Sequence, residues 1–195
     1  MVIYLSNQTN SKLNSNSKNL NKMKNIVKAI AASVIVLAAA STSSFAQATA
    51  TAAASANIIT PISIVKTVDM NFGNVAVSAT IAGTAILAPA GTRTAGGAGG
   101  VTLPATAGTV TAATFTVSGQ ASYTYAITLP GTVAISSGSN TMNVTSFTSS
   151  PSATGALSTG GTQTLTVGAT LNVAAGQASG AYTNATGVPV TVNYN

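Results

Sequence analysis

Residues 164–173 read TLTVGATLNV. Leu165, Val167, Ala169, Leu171 and Val173 alternate with Thr164, Thr166, Gly168, Thr170 and Asn172. Successive side chains of an extended chain point to opposite faces, so this period of two gathers the apolar set on one side, whereas a helix would scatter it around its axis. The segment therefore reads as a half-buried β-strand. Its other face carries mostly threonine, whose branched Cβ suits a pleated surface, so an uncharged Thr face can serve as a solvent face.

The same alternation recurs on both sides of this run. Ile62 and Ile64 flank Ser63; Val75, Val77 and Ala79 alternate with small residues; Phe115 and Val117 alternate with Thr114 and Thr116. Tyr123, Tyr125, Ile127 and Leu129 share one face. The stretch GVPVTVNYN at 187–195 repeats the design, with Val188, Val190, Val192 and Tyr194 inward and Pro189, Thr191 and Asn193 outward. Proline lacks the N–H that a central strand donates, so Pro189 places this strand at or near a sheet edge.

Clusters of Pro, Gly, Ser and Asn at 88–100, 130–131, 136–140, 149–161 and 176–180 separate the segments as turns. The longest, through GTRTAGGAGG at 91–100, is expected to be a mobile loop. No amphipathic helix follows residue 46, and short strands at this spacing predict an antiparallel, immunoglobulin-like β-sandwich over 58–195.

The first 46 residues read as a signal peptide. Lys12, Lys18, Lys22, Lys24 and Lys28 precede an apolar run from Ala29 to Ala40, and the small residues of Ser44-Phe45-Ala46 and Ala46-Gln47-Ala48 offer cleavage after Ala46 or Ala48. The apolar run falls well short of the ~20 residues a spanning helix needs. Met23-Lys24-Asn25 reads as the translation start. Residues 47–57, almost all Ala, Thr and Ser, form a lead-in.

Five of the seven basic residues lie in the leader, so from Gln47 onward only Lys66, Asp69 and Arg93 are charged, a net of +1. Nucleic-acid binding needs clustered cations to displace counterions, and that class is excluded. The chain has no cysteine, hence no disulfide and no thiolate site. The ~149 residues from Gln47 on suffice for one domain with its own core.

Catalytic groups are nearly absent: there is no His, Glu or Cys, and the one acid is Asp69. A Ser-His-Asp triad, a carboxylate pair and a thiol-His dyad cannot be assembled from one chain. Zinc lacks ligands for the same reason, and calcium would have Asp69 and carbonyl oxygens alone. The expectation is a protein without catalytic residues, cofactor or metal.

Ser63-Ile64-Val65-Lys66 matches S-x-x-K, but that motif needs a helix to bring its ends together and here lies in a strand pattern. The glycines at 96–100 lack the lysine and spacing of a nucleotide loop. Asn143-Val144-Thr145 and Asn184-Ala185-Thr186 match the glycosylation acceptor pattern, a match too short to carry weight. Tyr123 and Tyr125 share a face that could stack on sugars, although strand tyrosines usually pack in a core or at its rim.

In order along the chain, NIITPISIV at 57–65, MNFGNV at 70–75, FTVSG at 115–119, YAITLP at 125–130, LTVGATLNV at 165–173 and GAYTNATGVPVTVNYN at 180–195 resemble a bacterial secreted family catalogued as domain-of-unknown-function 4402. The resemblance spans the chain beyond the leader and brings no established activity. More distantly, the final alternation and Tyr194 resemble subunits of chaperone-usher pili of Gram-negative bacteria. That resemblance implies a sandwich whose terminal strand lines a groove filled by a neighbour's N-terminal extension through β-strand addition.

Val188, Val190, Val192 and Tyr194 would then form an intersubunit strand, and the partners would be copies of this chain or a periplasmic chaperone. Burying Val, Leu or Ile contributes ~1.5–3 kcal/mol and Ala far less, so ATATAAASA at 48–56 is a poor donor unless Ile58 and Ile59 join it.

These features give the expectation of an exported, non-enzymatic structural protein in the periplasm, on the cell surface or outside the cell, as a surface or fimbria-like subunit. The rival expectation is a self-contained binding module, a small adhesin or glycan binder using the loops at 88–100 and 149–161.

Overall fold

The computed structural model describes residues 20–28 and 47–195. Residues 20–28 are helical; the leader's apolar run and Ala46 lie outside the described residues. Among the described residues no helix is long and apolar enough to cross a membrane. Residues 47–57 are exposed and carry no strand.

Residues 56–195 make a compact unit of their own. Its strands are β1 Ser63–Val68, β2 Ala76–Val77, β3 Gly83–Leu87, β4 Arg93–Gly96, β5 Val101–Thr102, β6 Ala113–Ser118, β7 Thr124–Thr128, β8 Thr132–Ser137, β9 Asn140–Ser150, β10 Thr154–Ala156, β11 Thr162–Val173 and β12 Thr191–Tyr194. All pairings are antiparallel, in a seven-stranded sheet, a three-stranded sheet ordered β10-β7-β12 and a β2-β5 pair. The fold is an immunoglobulin-like antiparallel sandwich, as the alternation predicts.

The run that predicts the fold also organises it. Thr166 of β11 pairs with Thr114 of β6 and Ser150 of β9, while Thr170 pairs with Ile86 of β3 and Thr145 of β9. A strand has two edges, so β9 occupies one and β6 and β3 lie end to end along the other. One alternating face thus serves two buried clusters. Leu165 and Val167 join Phe115, Val117, Tyr125 and Val192; Ala169, Leu171 and Val173 join Phe72, Leu87, Val133 and Val144.

Gly168 stands where the clusters meet. A Cβ there would run into the Leu87 carbonyl oxygen and lie 2.6 Å from the Ala88 carbonyl carbon and 2.7 Å from the Pro89 nitrogen. Only a residue without a side chain lets β3 end so close to β11.

Opposite Gly168, β9 carries one extra residue: Gly168 faces Thr148 but Thr170 faces Thr145. Ser146 takes φ 51°, the left-handed region of a bulge. This insertion re-phases β9, so that Met142 and Val144 before it and Phe147 after it all reach the core, Phe147 touching both clusters. Strict alternation from Val144 would turn Phe147 outward.

Three expectations need correction. The stretch 91–100 contains β4, paired with β3 through Leu87–Arg93 to Thr84–Gly96, and is not simply a loop. The stretch 149–161 likewise contains β10, paired with β7. Both close a neighbouring strand's hydrogen bonds, and backbone pairing leaves little trace in composition. The alternation at 75–79 also fails: β2 is two residues long, and Val77 is exposed although its cross-strand partner Val101 is buried in the core.

The MNFGNV stretch shows what its residues do. Phe72 plugs one cluster, and Gly73 turns the chain at φ 67° where a Cβ would strike the Ala107 carbonyl. Half-buried Arg93 donates from Nη1 to the carbonyls of Phe72 and Asn74, both at 2.6 Å, tying this turn to the β3-β4 hairpin. Hydrogen bonds from a charged donor contribute about 1.5–3 kcal/mol. Arg93→Met is expected to cost about 2 kcal/mol in chemical denaturation, with faster amide exchange at Asn71–Asn74. Unchanged stability would show that the turn holds without the guanidinium.

Candidate functional site at the open edges

Two strands on either side of one cluster each lack a partner on one edge among the described residues: β1 pairs with β6 alone and β12 with β7 alone. The edge position expected from Pro189 is therefore found. Hydrogen-bonded pairing of the last strand begins at Thr191, after the proline.

The four residues singled out in that segment have different places. Val192 is buried, and Val190 and Tyr194 are half-buried, all three in the cluster that also takes Ile62 and Ile64 from β1 and its approach. Val188 is half-buried but belongs to neither cluster. Four side chains expected to act together are thus three plus one.

Tyr194 closes the seam. Its hydroxyl accepts the Gln120 N–H at 2.5 Å and donates to the Thr60 carbonyl at 2.7 Å, while the Thr60 N–H donates to Gln120 Oε1 at 3.2 Å. Tyr123 meets the Tyr194 ring edge-on, with centroids 5.8 Å apart and planes at 68°. Room for the hydroxyl comes from Gly119, where any Cβ would strike Tyr194 Oη and approach Leu157 Cδ1 to 3.1 Å. Nothing in the composition marks Gln120 or Thr60 for this role; FTVSG followed by Gln is the nearest sequence trace.

Tyr194→Phe keeps the ring and removes both bonds. It is expected to cost about 1 kcal/mol and raise exchange at the Thr60 amide about fivefold, read by hydrogen–deuterium exchange. No change at Thr60 would mean that the β1 approach is held by Ile62 and Ile64 alone.

The inward face of the seam is filled by the chain itself. What stays open is backbone, flanked by apolar side chains: Val65 is 62 % exposed, Val68 39 % and Ile58 95 %. Lys66 pairs with Asp69, both exposed, and the register of β1 shifts between Lys66 and Val68. A lysine and a bulge are devices by which proteins blunt an edge against uncontrolled pairing.

The discarded motifs fall into place as strand and turn. Ser63 and Lys66 both lie in β1, with Ser63 Oγ donating to the Ser118 carbonyl at 3.4 Å and Lys66 committed to Asp69. The 96–100 glycines end β4 and make the turn into β5. Asn184 is a turn residue: its Oδ1 accepts from the Thr186 N–H at 2.7 Å and its Nδ2 donates to the Ala134 carbonyl at 2.9 Å. Among the described residues no three His, Cys, Asp or Glu side chains gather as metal ligands would.

Fold and seam together define an all-β, antiparallel sandwich domain in which β1 and β12, among other end strands, each leave one edge unpartnered among the described residues. Residues 62–194 match the family described as domain of unknown function (DUF4402), and the chain belongs to it. No curated protein matches, and neither does any solved structure.

Proposed function

We propose that the protein is an exported, non-enzymatic structural subunit of a cell-surface or fimbria-like assembly. The observation that carries this reading is the seam, where β1 and β12 each leave one edge open beside one cluster and the Tyr194 hydroxyl bonds Thr60 just ahead of β1. An open strand edge is a template for another strand, and strand addition joins proteins mainly through backbone hydrogen bonds, which need no charged or catalytic side chains. The small net charge beyond the leader offers little repulsion between copies. Copies of this chain, or a periplasmic chaperone before them, are the fitting partners. A head-to-tail contact that does not close makes a filament.

Protein sheared from native cells and run unheated on an SDS gel is expected to form a ladder that collapses to one band on boiling. A monomer band in both lanes would overturn strand-joined assembly.

A further inference from the structure

The other end of β11, about 30 Å from the Tyr194 seam along the strand, carries a different kind of feature. There Asn172 stands in one cross-strand row between Asn143 of β9 and Thr84 of β3. With Gln177 and the β4–β5 turn at Gly97 and Ala98, these residues line an open cleft of about 510 Å³, within the size range of small-ligand sites.

Two amides in this cleft are held in set orientations. Asn172 Nδ2 donates to the Asn143 carbonyl at 3.1 Å and to Thr145 Oγ1 at 2.8 Å. Gln177 Nε2 donates to the Thr141 carbonyl at 3.3 Å and to the Tyr182 hydroxyl at 2.8 Å, and that hydroxyl donates to the Ala178 carbonyl at 2.8 Å. With both nitrogens committed, Asn172 Oδ1 and Gln177 Oε1 are left as positioned acceptors. The exposed Asn143 amide and the Thr84 hydroxyl add donors beside them.

No charged side chain lines the cleft. Beyond the leader the charges are spent elsewhere, Lys66 with Asp69 on β1 and Arg93 on the Phe72 and Asn74 carbonyls. A charged ligand would find no counter-charge, and a wholly apolar one would strand the amides. Neutral molecules rich in hydroxyl groups, with C–H faces that can rest on small residues such as Ala82 and Gly83, meet both demands.

We propose that this cleft binds a neutral saccharide, whose hydroxyls donate to Asn172 Oδ1 and Gln177 Oε1 and accept from the Asn143 amide and the Thr84 hydroxyl. No aromatic ring lines it, so binding is weak, with a Kd of about 1 mM. The site is separate from the strand edges and does not rest on assembly.

The test is a ¹⁵N NMR titration of the purified full chain with maltose, cellobiose, lactose and N,N′-diacetylchitobiose, each to about 10 mM. At least one sugar is expected to give saturable shifts in the side-chain NH₂ signals of Asn143, Asn172 and Gln177. Asn143→Ala and Thr84→Val each delete one bond in an otherwise intact sheet, and each is expected to weaken binding about fivefold. The proposal is overturned if no sugar gives saturable shifts, if the shifts centre on Tyr123 and Tyr194, or if both variants, folded by their own spectra, bind as tightly as the parent.

Discussion

Tyr125→Ala is expected to destabilise the domain by about 3–5 kcal/mol, the range for emptying a large buried aromatic site. Tyr125 has no exposed surface and packs with Phe115, Val117, Leu157, Leu165, Val167 and Val192. It is paired across the sheet with Gly155 on one side and Tyr194 on the other. Gly155 has no side chain because the tyrosine ring fills that space: a Cβ there would strike Tyr125 Cζ and Oη. The cavity left by alanine would open between backbone segments that hydrogen bonds hold in place, so little collapse can fill it.

Tyr125→Phe separates the ring from its hydroxyl. That hydroxyl donates to Gln163 Oε1 at 2.8 Å, and the same oxygen accepts the Ala156 N–H at 2.9 Å. With phenylalanine Gln163 keeps one donor, and the loss is expected to be about 1 kcal/mol. Gln163→Leu instead strands both donors, one of them buried, and is expected to cost about 1–3 kcal/mol. Urea denaturation of the three variants checks the order; a Phe variant as damaged as the Ala variant would refute it.

Burial also raises the Tyr125 pKa above its ordinary value of 10.0. The unfolded chain then releases this proton at lower pH than the folded one, so stability falls as pH rises past about 10. Below that, the contribution is complete. Tyr125→Phe is expected to remove this part of the alkaline loss.

Gly168→Ala should cost about 3 kcal/mol, at the upper end of what overpacking usually exacts. Most overpacked sites relax by turning a side chain, but the obstacles here are the backbone atoms of Leu87, Ala88 and Pro89. β11 cannot retreat, since β9 holds its other edge through Thr166–Asn172. A single methyl would therefore pry β3 from β11 and loosen the Leu87–Leu171 cluster, and Gly168→Val is expected to leave little soluble protein. Thermal unfolding of the Ala variant checks this. A melting temperature within a degree or so of the parent would mean that β3 slides along β11 at little cost.

Much of the molecule was legible from residues alone, for a reason particular to strands. Leu165 to Val173 declare which side is buried because the period of two survives any partner, and Phe115, Val117 and Tyr125 do the same. Pro189 declares an edge because a missing N–H is a covalent fact. The failures share a cause. β4 hides in GTRTAGGAGG because its pairing is made by backbone, and Phe147 faces inward because a bulge shifts the phase.

At the seam, sequence pointed to Tyr194 and Val192 but not to Gln120 or Thr60, which lie 74 and 134 residues from Tyr194. The cleft amides were as silent, since Asn172 reads as one more outward residue of a strand until Asn143 and Thr84 stand beside it.

The sequence by itself determined the all-β class, the buried face of the main strands, the edge near Pro189 and the small charge beyond residue 46. These follow from the local geometry of an extended chain and from covalent chemistry. Tertiary structure alone decided that β11 spans two clusters, that β6 and β3 share its edge, that Tyr194 latches Thr60, and that the amides of Asn172 and Gln177 are held with their oxygens free. Each depends on which distant backbone comes alongside, and that is settled by register and close approach across the fold.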